Sequence, residues 1–265
     1  MGLSLTNLTV LSETKRNLLL LLRGKPGDIE EIKDLLSLSK ASALAHVRKL
    51  EKAGLLIEEE GIFRLSDMGE ILAENLKELF DVLDFFEQNM DYWKNHDLNP
   101  IPSCLLNTIN KLGSCELIEP DAAYMFDIPQ AFREHIRNSK EVLAFLSYFH
   151  PDTPSFYARL AEKDVDLSLC MTRDIFERYL SDFPGEIKRI LAAQNSRLLI
   201  CHENSAMPEV VATDCFMAIR LNEHDGRLRN RLMISHEAEA LEWGRELYDH
   251  YENMSEEVAP FLLKK

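Results

Sequence analysis

Two groups of side chains stand out by type and spacing. The first is the run Ser39-Lys40-Ala41-Ser42-Ala43-Leu44-Ala45-His46-Val47-Arg48-Lys49, where small, hydroxyl and cationic residues flank an apolar stripe. Hydroxyls and small apolar groups can meet base edges and thymine methyls, and Lys or Arg can meet phosphates. The second is His150, Thr172, Arg173 and His202, each at or just past the end of a strand-like run. Thr172 and Arg173 also open a helical stretch, where free backbone N–H groups favour an anion. Signatures of catalysis are missing: there is no GxSxG, P-loop, GxGxxG or HExxH. The five cysteines (Cys104, Cys115, Cys170, Cys201 and Cys215) are scattered and include no CxxC, so neither a zinc site nor a disulfide framework is expected. Cys170, Cys201 and Cys215 sit in apolar strand contexts and read as core. No enzyme activity, metal or cofactor is expected, and a reducing cytoplasm is the expected compartment.

The elements that position the first group are legible from their caps. Ser12 precedes a leucine-rich helix, Glu13 to Arg23, that stops at Gly24. After the turn Lys25-Pro26-Gly27, Asp28 opens a second helix with Glu31 in capping-box spacing. Ser39 caps a third, Lys40 to Lys52, on which Ala43, Val47 and Leu50 share one face. Two β-prone runs follow, Leu55–Glu58 and Ile62–Leu65, joined at Glu59-Glu60-Gly61. With Ala43, Val47 and Leu50 inward, the third helix offers Ser39, Lys40, Ala41, Ser42, Leu44, Ala45, Arg48 and Lys49 to a partner. Lys15 and Arg16 stand ready for phosphates at the start of the first helix, and Arg64 at the base of the hairpin. The hairpin tip is Glu58-Glu59-Glu60. Three carboxylates would repel a phosphate backbone, so the tip is not expected in a minor groove. His46 reads as a half-buried packing residue.

Net charge, taken over the whole chain, conceals this region. The 265 residues carry a formal −15, which would argue against nucleic acid. Residues 1–66, however, hold ten Lys/Arg and nine Asp/Glu, and the remainder holds twenty and thirty-six. A near-neutral reader is thus joined to an acidic body. No run of eighteen apolar residues is present, so no membrane span is expected. The N-terminus lacks the basic, apolar and cleavage segments of a secretory signal.

From Asp67 to Asp91 a helix is expected, with apolar residues at Leu72, Leu76, Leu79, Leu83, Phe86, Met90 and Trp93. The alternating steps of four and three form a seam that calls for a partner helix, either a second chain or the chain's own C-terminal part. Asn95 to Pro102 reads as a linker. Beyond it strands (Glu141–Tyr148, Asp166–Met171, Arg197–His202, Glu209–Ala212, Cys215–Leu221) alternate with helices (Ala131–Ser139, Ser155–Lys163, Arg173–Leu180, Glu186–Gln194), and a last helix starts at His236. That alternation indicates an α/β sheet domain. The expected division is 1–67 for the reader, 68–99 for the connecting helix and linker, and 100–265 for the α/β domain.

The wording adds a resemblance. Leu38 to Leu56, with the exit Phe63-Arg64-Leu65-Ser66-Asp67-Met68-Gly69, resembles the recognition helix and wing of ArsR/MarR-like winged helix-turn-helix regulators. The α/β region, ending in Arg231 to Tyr251, resembles the effector domain of methanogen winged-helix regulators and, more distantly, the phospholipase D-like sensor domain of archaeal regulators. The resemblance implies a homodimeric archaeal transcription regulator that binds a double-stranded DNA operator and answers to a small-molecule or protein effector. Phospholipase D chemistry needs a Lys two residues after the nucleophilic His. Here His202 is followed by Asn204 and His224 by Gly226, so the enzyme's reaction is not implied. Two alternatives stay open: a protein-interaction module without DNA binding, prompted by the acidic hairpin tip, and a phosphodiesterase-like enzyme.

Overall fold

The computed structural model describes residues 5–6, 12–119, 128–163, 165–202, 207–226 and 230–259. The chain forms two compact units, Met1–Asp84 and Phe85–Lys265.

In the first unit, α1 (Glu13–Gly24) is followed by a two-residue strand β1 (Gly27–Asp28), then α2 (Ile29–Leu35) and α3 (Lys40–Lys52). The Asp28 carboxylate accepts from the N–H groups of Glu30 and Glu31, and the Glu31 side chain returns to the Asp28 N–H, completing the expected capping box. The Ser39 hydroxyl caps α3 through the Ser42 N–H at 3.2 Å. The hairpin pairs β2 (Leu56–Glu59) with β3 (Ile62–Leu65) around a two-residue loop, Glu60-Gly61. Both loop residues have positive φ (51° and 82°), the geometry that matches the twist of flanking strands. The stretch expected to be only a turn, Lys25 to Gly27, instead leads into β1, which pairs with β3. Leu18, Leu19, Ile32, Ala43, Val47, Leu50 and Leu55 form the fully buried centre of this unit.

The hairpin leads directly into α4 (Asp67–Gln88). Ser66 ties this start down: its hydroxyl donates to the Gly54 carbonyl at 2.6 Å and accepts from the Gly69 N–H at 3.0 Å. Gly69 lies so close to the strand entrance that a Cβ there would stand 2.1 Å from the Leu55 carbonyl oxygen. The helix ends earlier than expected. Asn89 leaves helical geometry (φ −135°, ψ 45°) and a separate four-residue α5 (Met90–Trp93) begins. The expected seam is therefore divided. Leu76 is buried in the first unit and Leu72 half-buried, whereas Leu79 and Leu83 are 46% and 42% exposed. Phe86 and Trp93 pack in the second unit, and Met90 is exposed. A straight helix drifts about 20° per heptad from a strict seven-residue repeat, so one stripe does not keep one surrounding.

The second unit holds α6 (Ser103–Leu106), a 3₁₀ turn (Ile109–Leu112), β4 (Glu116–Ile118), α7 (Gln130–Asn138), β5 (Glu141–Leu146), α8 (Thr153–Ala161), β6 (Asp166–Thr172), α9 (Arg173–Asp182), α10 (Pro184–Ala192), β7 (Ser196–Cys201), β8 (Glu209–Thr213), β9 (Met217–Arg220), β10 (Leu232–Ser235), α11 (Ala238–Glu252) and β11 (Ser255–Glu257). One eight-stranded sheet runs β11-β7-β6-β5-β8-β9-β10-β4. Its β5, β6 and β7 are parallel, and the remaining pairs are antiparallel. Side chains alternate across it. Val142, Ala144, Leu146, Leu167, Leu169 and Met171 enter one core with Tyr157 and Tyr179. Phe145, Cys170, Leu199 and Cys201 enter the other with Trp243 and Tyr251. The mixed α/β character is as expected.

Two expectations in this unit need correction. Cys215 is exposed, at the bend between β8 and β9, with its sulfur against the Ser139 and Thr213 hydroxyls. The stretch read as a linker is packed: His96 is 1% exposed, Ile101 is buried, and the Tyr251 hydroxyl donates to the Pro100 carbonyl at 2.9 Å. The His96 ring stacks on Tyr92 (centroids 3.8 Å apart) and its Nδ1 lies 2.6 Å from the Tyr92 carbonyl oxygen. Burial holds its pKa below the ordinary histidine value.

Two measurements follow. Gly69→Ala should lower the unfolding free energy by about 1–3 kcal/mol, the usual cost of forcing atoms into a filled site, read as an earlier urea midpoint. For His96, the unfolded chain binds the proton more readily than the folded one. Its contribution is therefore complete above the unfolded pKa of about 6.5 and is lost as pH falls below it. The denaturation midpoint should drop between about pH 7.5 and about pH 5.5, and His96→Phe should flatten that slope. His46, also held neutral by burial, keeps the residual slope in the first unit.

Candidate nucleic-acid interface

The outward face of α3 is set by its buried stripe. With Ala43, Val47 and Leu50 wholly withdrawn from water, Lys40, Ala41, Leu44, Ala45, Arg48 and Lys49 are exposed and Ser42 is half-buried. Ser39 is exposed, but its oxygen is engaged as the helix cap. These are the side chains that the sequence placed on one face, and the structure brings them together.

Their charges are arranged in a way that the sequence did not reveal. Lys40 lies 2.6 Å from Glu30 of α2. Lys33 and then Lys40 hold the Glu30 carboxyl down to about 2. One guanidinium nitrogen of Arg48 is 2.7 Å from both Glu51 and Glu58. Arg64, half-buried at the hairpin base, reaches Glu59 through both Nη2 (2.8 Å) and Nε (3.4 Å). Arg64 in turn keeps the Glu59 carboxyl below its ordinary range. Arg16 is spread over the Phe80 ring, 4.1 Å from its centroid. Among the described residues, Lys15 donates to the Ser12 hydroxyl, at 3.0 Å. Lys49 has no carboxylate within ion-pair distance among the described residues. Burial, and then the charges of Lys15 and Lys49, hold the His46 ring below the ordinary histidine pKa.

One of these pairs was within reach of the sequence. In the hairpin register Ile57 faces Arg64, so Glu59 is its diagonal neighbour on the same side. The Lys40–Glu30 and Arg48–Glu58 pairs join separate elements, and no spacing rule announces them.

In the second unit Thr172 ends β6 and pairs in register with Cys201 of β7. Arg173 therefore stands beside His202, with Nη2 2.7 Å from Nδ1. Guanidinium can only donate, so Nδ1 accepts and Nε2 carries the hydrogen toward Glu256, 3.2 Å away. Glu256 lies on β11, a strand that the sequence pattern did not show. Thr172 is buried and its side chain makes no cap bond. His150 is buried, with Nδ1 accepting from the Asp152 N–H at 3.2 Å. A separate cavity of about 290 Å³, lined by Asn95, Glu223, His224, Asp225 and Arg231, was not foreseen. Among the described residues no cluster of three or more His, Cys, Asp or Glu is arranged for a metal, and no helix is long and apolar enough to cross a membrane.

Comparison with known proteins agrees across both units. Residues 4–84 match the family model of the N-terminal domain of methanogenesis regulatory protein FilR1, and residues 125–254 match that of its middle domain. The chain belongs to the FilR1 family. A curated member, methanogenesis regulatory protein FilR1 of Methanothrix harundinacea (strain 6Ac), is 27% identical over 252 residues, which cover 93% of this chain and 56% of the relative. The chain thus spans about half the length of that relative. Both family models and the curated relative carry the name of a regulatory protein. Among solved structures, TrmBL2, described as an archaeal chromatin protein, aligns over 96% of this chain and all of that one, with a TM-score of 0.45 and 11% identity. The adhesin competence repressor AdcR of Streptococcus pyogenes aligns over 31% of this chain and 66% of its own, with a TM-score of 0.28 and 17% identity.

The capping geometry gives a direct check. Ser39→Ala removes the hydroxyl from the Ser42 N–H and should cost about 1 kcal/mol. Ser39→Asp, which restores an acceptor, should recover most of it in the same denaturation assay.

Proposed function

We propose that this chain is a DNA-binding transcriptional regulator whose first unit is a winged helix-turn-helix and whose α3 is the recognition helix. The observation that carries this reading is the α3 surface. A helix capped by Ser39 presents Lys40, Ala41, Ser42, Leu44, Ala45, Arg48 and Lys49 together, and its opposite stripe is locked into the core. Ser42 can hydrogen-bond to base edges, and Ala41, Leu44 and Ala45 can meet thymine methyls. Lys15 and Arg16 flank that surface as phosphate contacts. The family membership of both units supports the regulatory role.

The finer parts of the proposal follow from this. The chain acts as a homodimer, because two copies of one recognition helix read half-sites about 34 Å apart. The seam residues of α4 and α5, Leu72, Leu76, Leu79, Leu83, Phe86, Met90 and Trp93, supply the pairing surface through their exposed members Leu79, Leu83 and Met90. The second unit, phospholipase D-like in arrangement, receives a small-molecule or protein effector near His150, Thr172, Arg173 and His202, at the carboxyl ends of its parallel strands. The protein works in the cytoplasm.

The test is selection of bound sequences from random duplex DNA by the full chain. Wild type should enrich a motif. Ala45→Glu, which sets a carboxylate on the exposed face, should enrich none while melting within a few degrees of wild type. Enrichment of the same motif by both proteins would remove α3 as the reader.

A further inference from the structure

Lys40, Arg48, Arg64, Lys15 and Lys49 fall into two classes, and the difference bears on where a nucleic-acid backbone is gripped. Lys40, Arg48 and Arg64 each face a carboxylate of their own chain: Glu30 at 2.6 Å, Glu58 at 2.7 Å and Glu59 at 2.8 Å. Glu58 and Glu59 belong to the hairpin. Its tight Glu60-Gly61 turn fixes their register, so the hairpin sets Glu58 against Arg48 of the recognition helix and Glu59 against its own Arg64. Lys15 and Lys49 are different. The charges of both, one on α1 and one on α3, bear on His46, and no acidic side chain is paired with either among the described residues.

Binding at the two classes has different ionic consequences. A lysine without an acidic partner that meets a DNA phosphate releases a condensed counterion, which contributes about 0.9 to the slope of log K against log salt. An arginine that leaves a carboxylate for a phosphate uncovers that carboxylate beside the polyanion. The carboxylate then draws a cation from solution, and the two exchanges offset. The ion pairs themselves are exposed and weak, of order 0–1 kcal/mol, so they do not prevent the exchange. They remove its reward.

We propose that Lys15 and Lys49 form the phosphate-gripping site of this chain, and that Glu58 and Glu59 withhold Arg48 and Arg64 from the backbone. The phosphodiester of duplex DNA is the ligand. The hairpin acts as an internal anion that keeps the sequence-independent affinity low. This rests on the DNA-binding reading given above and assigns its electrostatic part to named residues.

The experiment is fluorescence anisotropy of the full chain on a labelled random-sequence duplex, titrated in sodium chloride from about 50 to about 200 mM. Lys15→Gln and Lys49→Gln should each reduce the salt slope by about 0.9 and weaken binding several-fold. Arg64→Gln should leave the slope within error of wild type. Glu58→Gln together with Glu59→Gln should steepen it by about 0.9, the share of Arg64, because Glu51 still holds Arg48, and should tighten binding. These residues are surface groups, and a circular dichroism melt of each variant verifies the fold. The assignment is overturned if wild type binds but Lys15→Gln and Lys49→Gln keep its slope, whatever Arg64→Gln does. It is overturned equally if the double glutamine variant binds no tighter. Absence of salt-dependent binding by wild type and by the double variant would instead overturn the DNA-binding reading itself, and this site with it.

Discussion

The complete burial of one stripe on α3 is the constraint on which the interface depends. Ala43, Val47 and Leu50 have no exposed surface, and they pack with Leu18, Leu19, Ile32 and Leu55 in one core. Rotating the helix by one residue, about 100°, would bring charged side chains into that core and expose the stripe. Either change costs several kcal/mol, so the outward face is fixed before any partner arrives. The Ser39 cap sets where that face begins, and Gly54 (φ 77°) and Leu55 end the helix and turn the chain into the hairpin. Gly69, pressed against the Leu55 carbonyl, locks the next helix onto the same place.

Charge then decides what the fixed face can do. The opening asymmetry, near-neutral over residues 1–66 and strongly acidic beyond, is repeated on a smaller scale within the first unit. Carboxylates from α2 and the hairpin sit on Lys40, Arg48 and Arg64, whereas among the described residues no acidic side chain is paired with Lys15 or Lys49. A surface of this kind has little long-range pull on a polyanion, because paired charges cancel within a Debye length of about 8 Å at physiological salt. Selectivity then depends on short-range contacts from the small side chains of α3 and on the number of copies engaged. The acidic second unit works in the same direction, by opposing indiscriminate association with DNA.

Much of this architecture was legible in the sequence because its signals are local. Capping residues, the period of 3.6 and the turn glycines lie within a few residues of what they control. Asp28, Ser39 and Gly61 accordingly marked their elements correctly. The strands that escaped notice, β1, β4, β10 and β11, are two to four residues long and owe their existence to distant partners. β11, for example, exists by pairing with β7 across more than fifty residues of chain. Cys215 looked like core because its neighbours are apolar, yet it occupies the bend where the chain leaves one strand for the next. The divided seam of α4 and α5 shows the same limit: the repeat was visible, but the break at Asn89 and the separate surroundings of its two ends were not. For the interface, residue types and their common face could be read in advance. The ion pairs that decide which cations are available could not, because Arg48 and Glu58 meet only once a helix and a hairpin have packed.

The central claim, that the exposed face of α3 reads DNA bases, is tested most directly by site-specific photocrosslinking. A benzophenone side chain placed at Leu44 on α3, or at Ile62 on the hairpin, reports which element lies against the bases; both positions are exposed. The account predicts a crosslink to duplex bases from position 44 and little or none from position 62. Crosslinking from position 62 but not from 44, on DNA that the protein demonstrably binds, would contradict it.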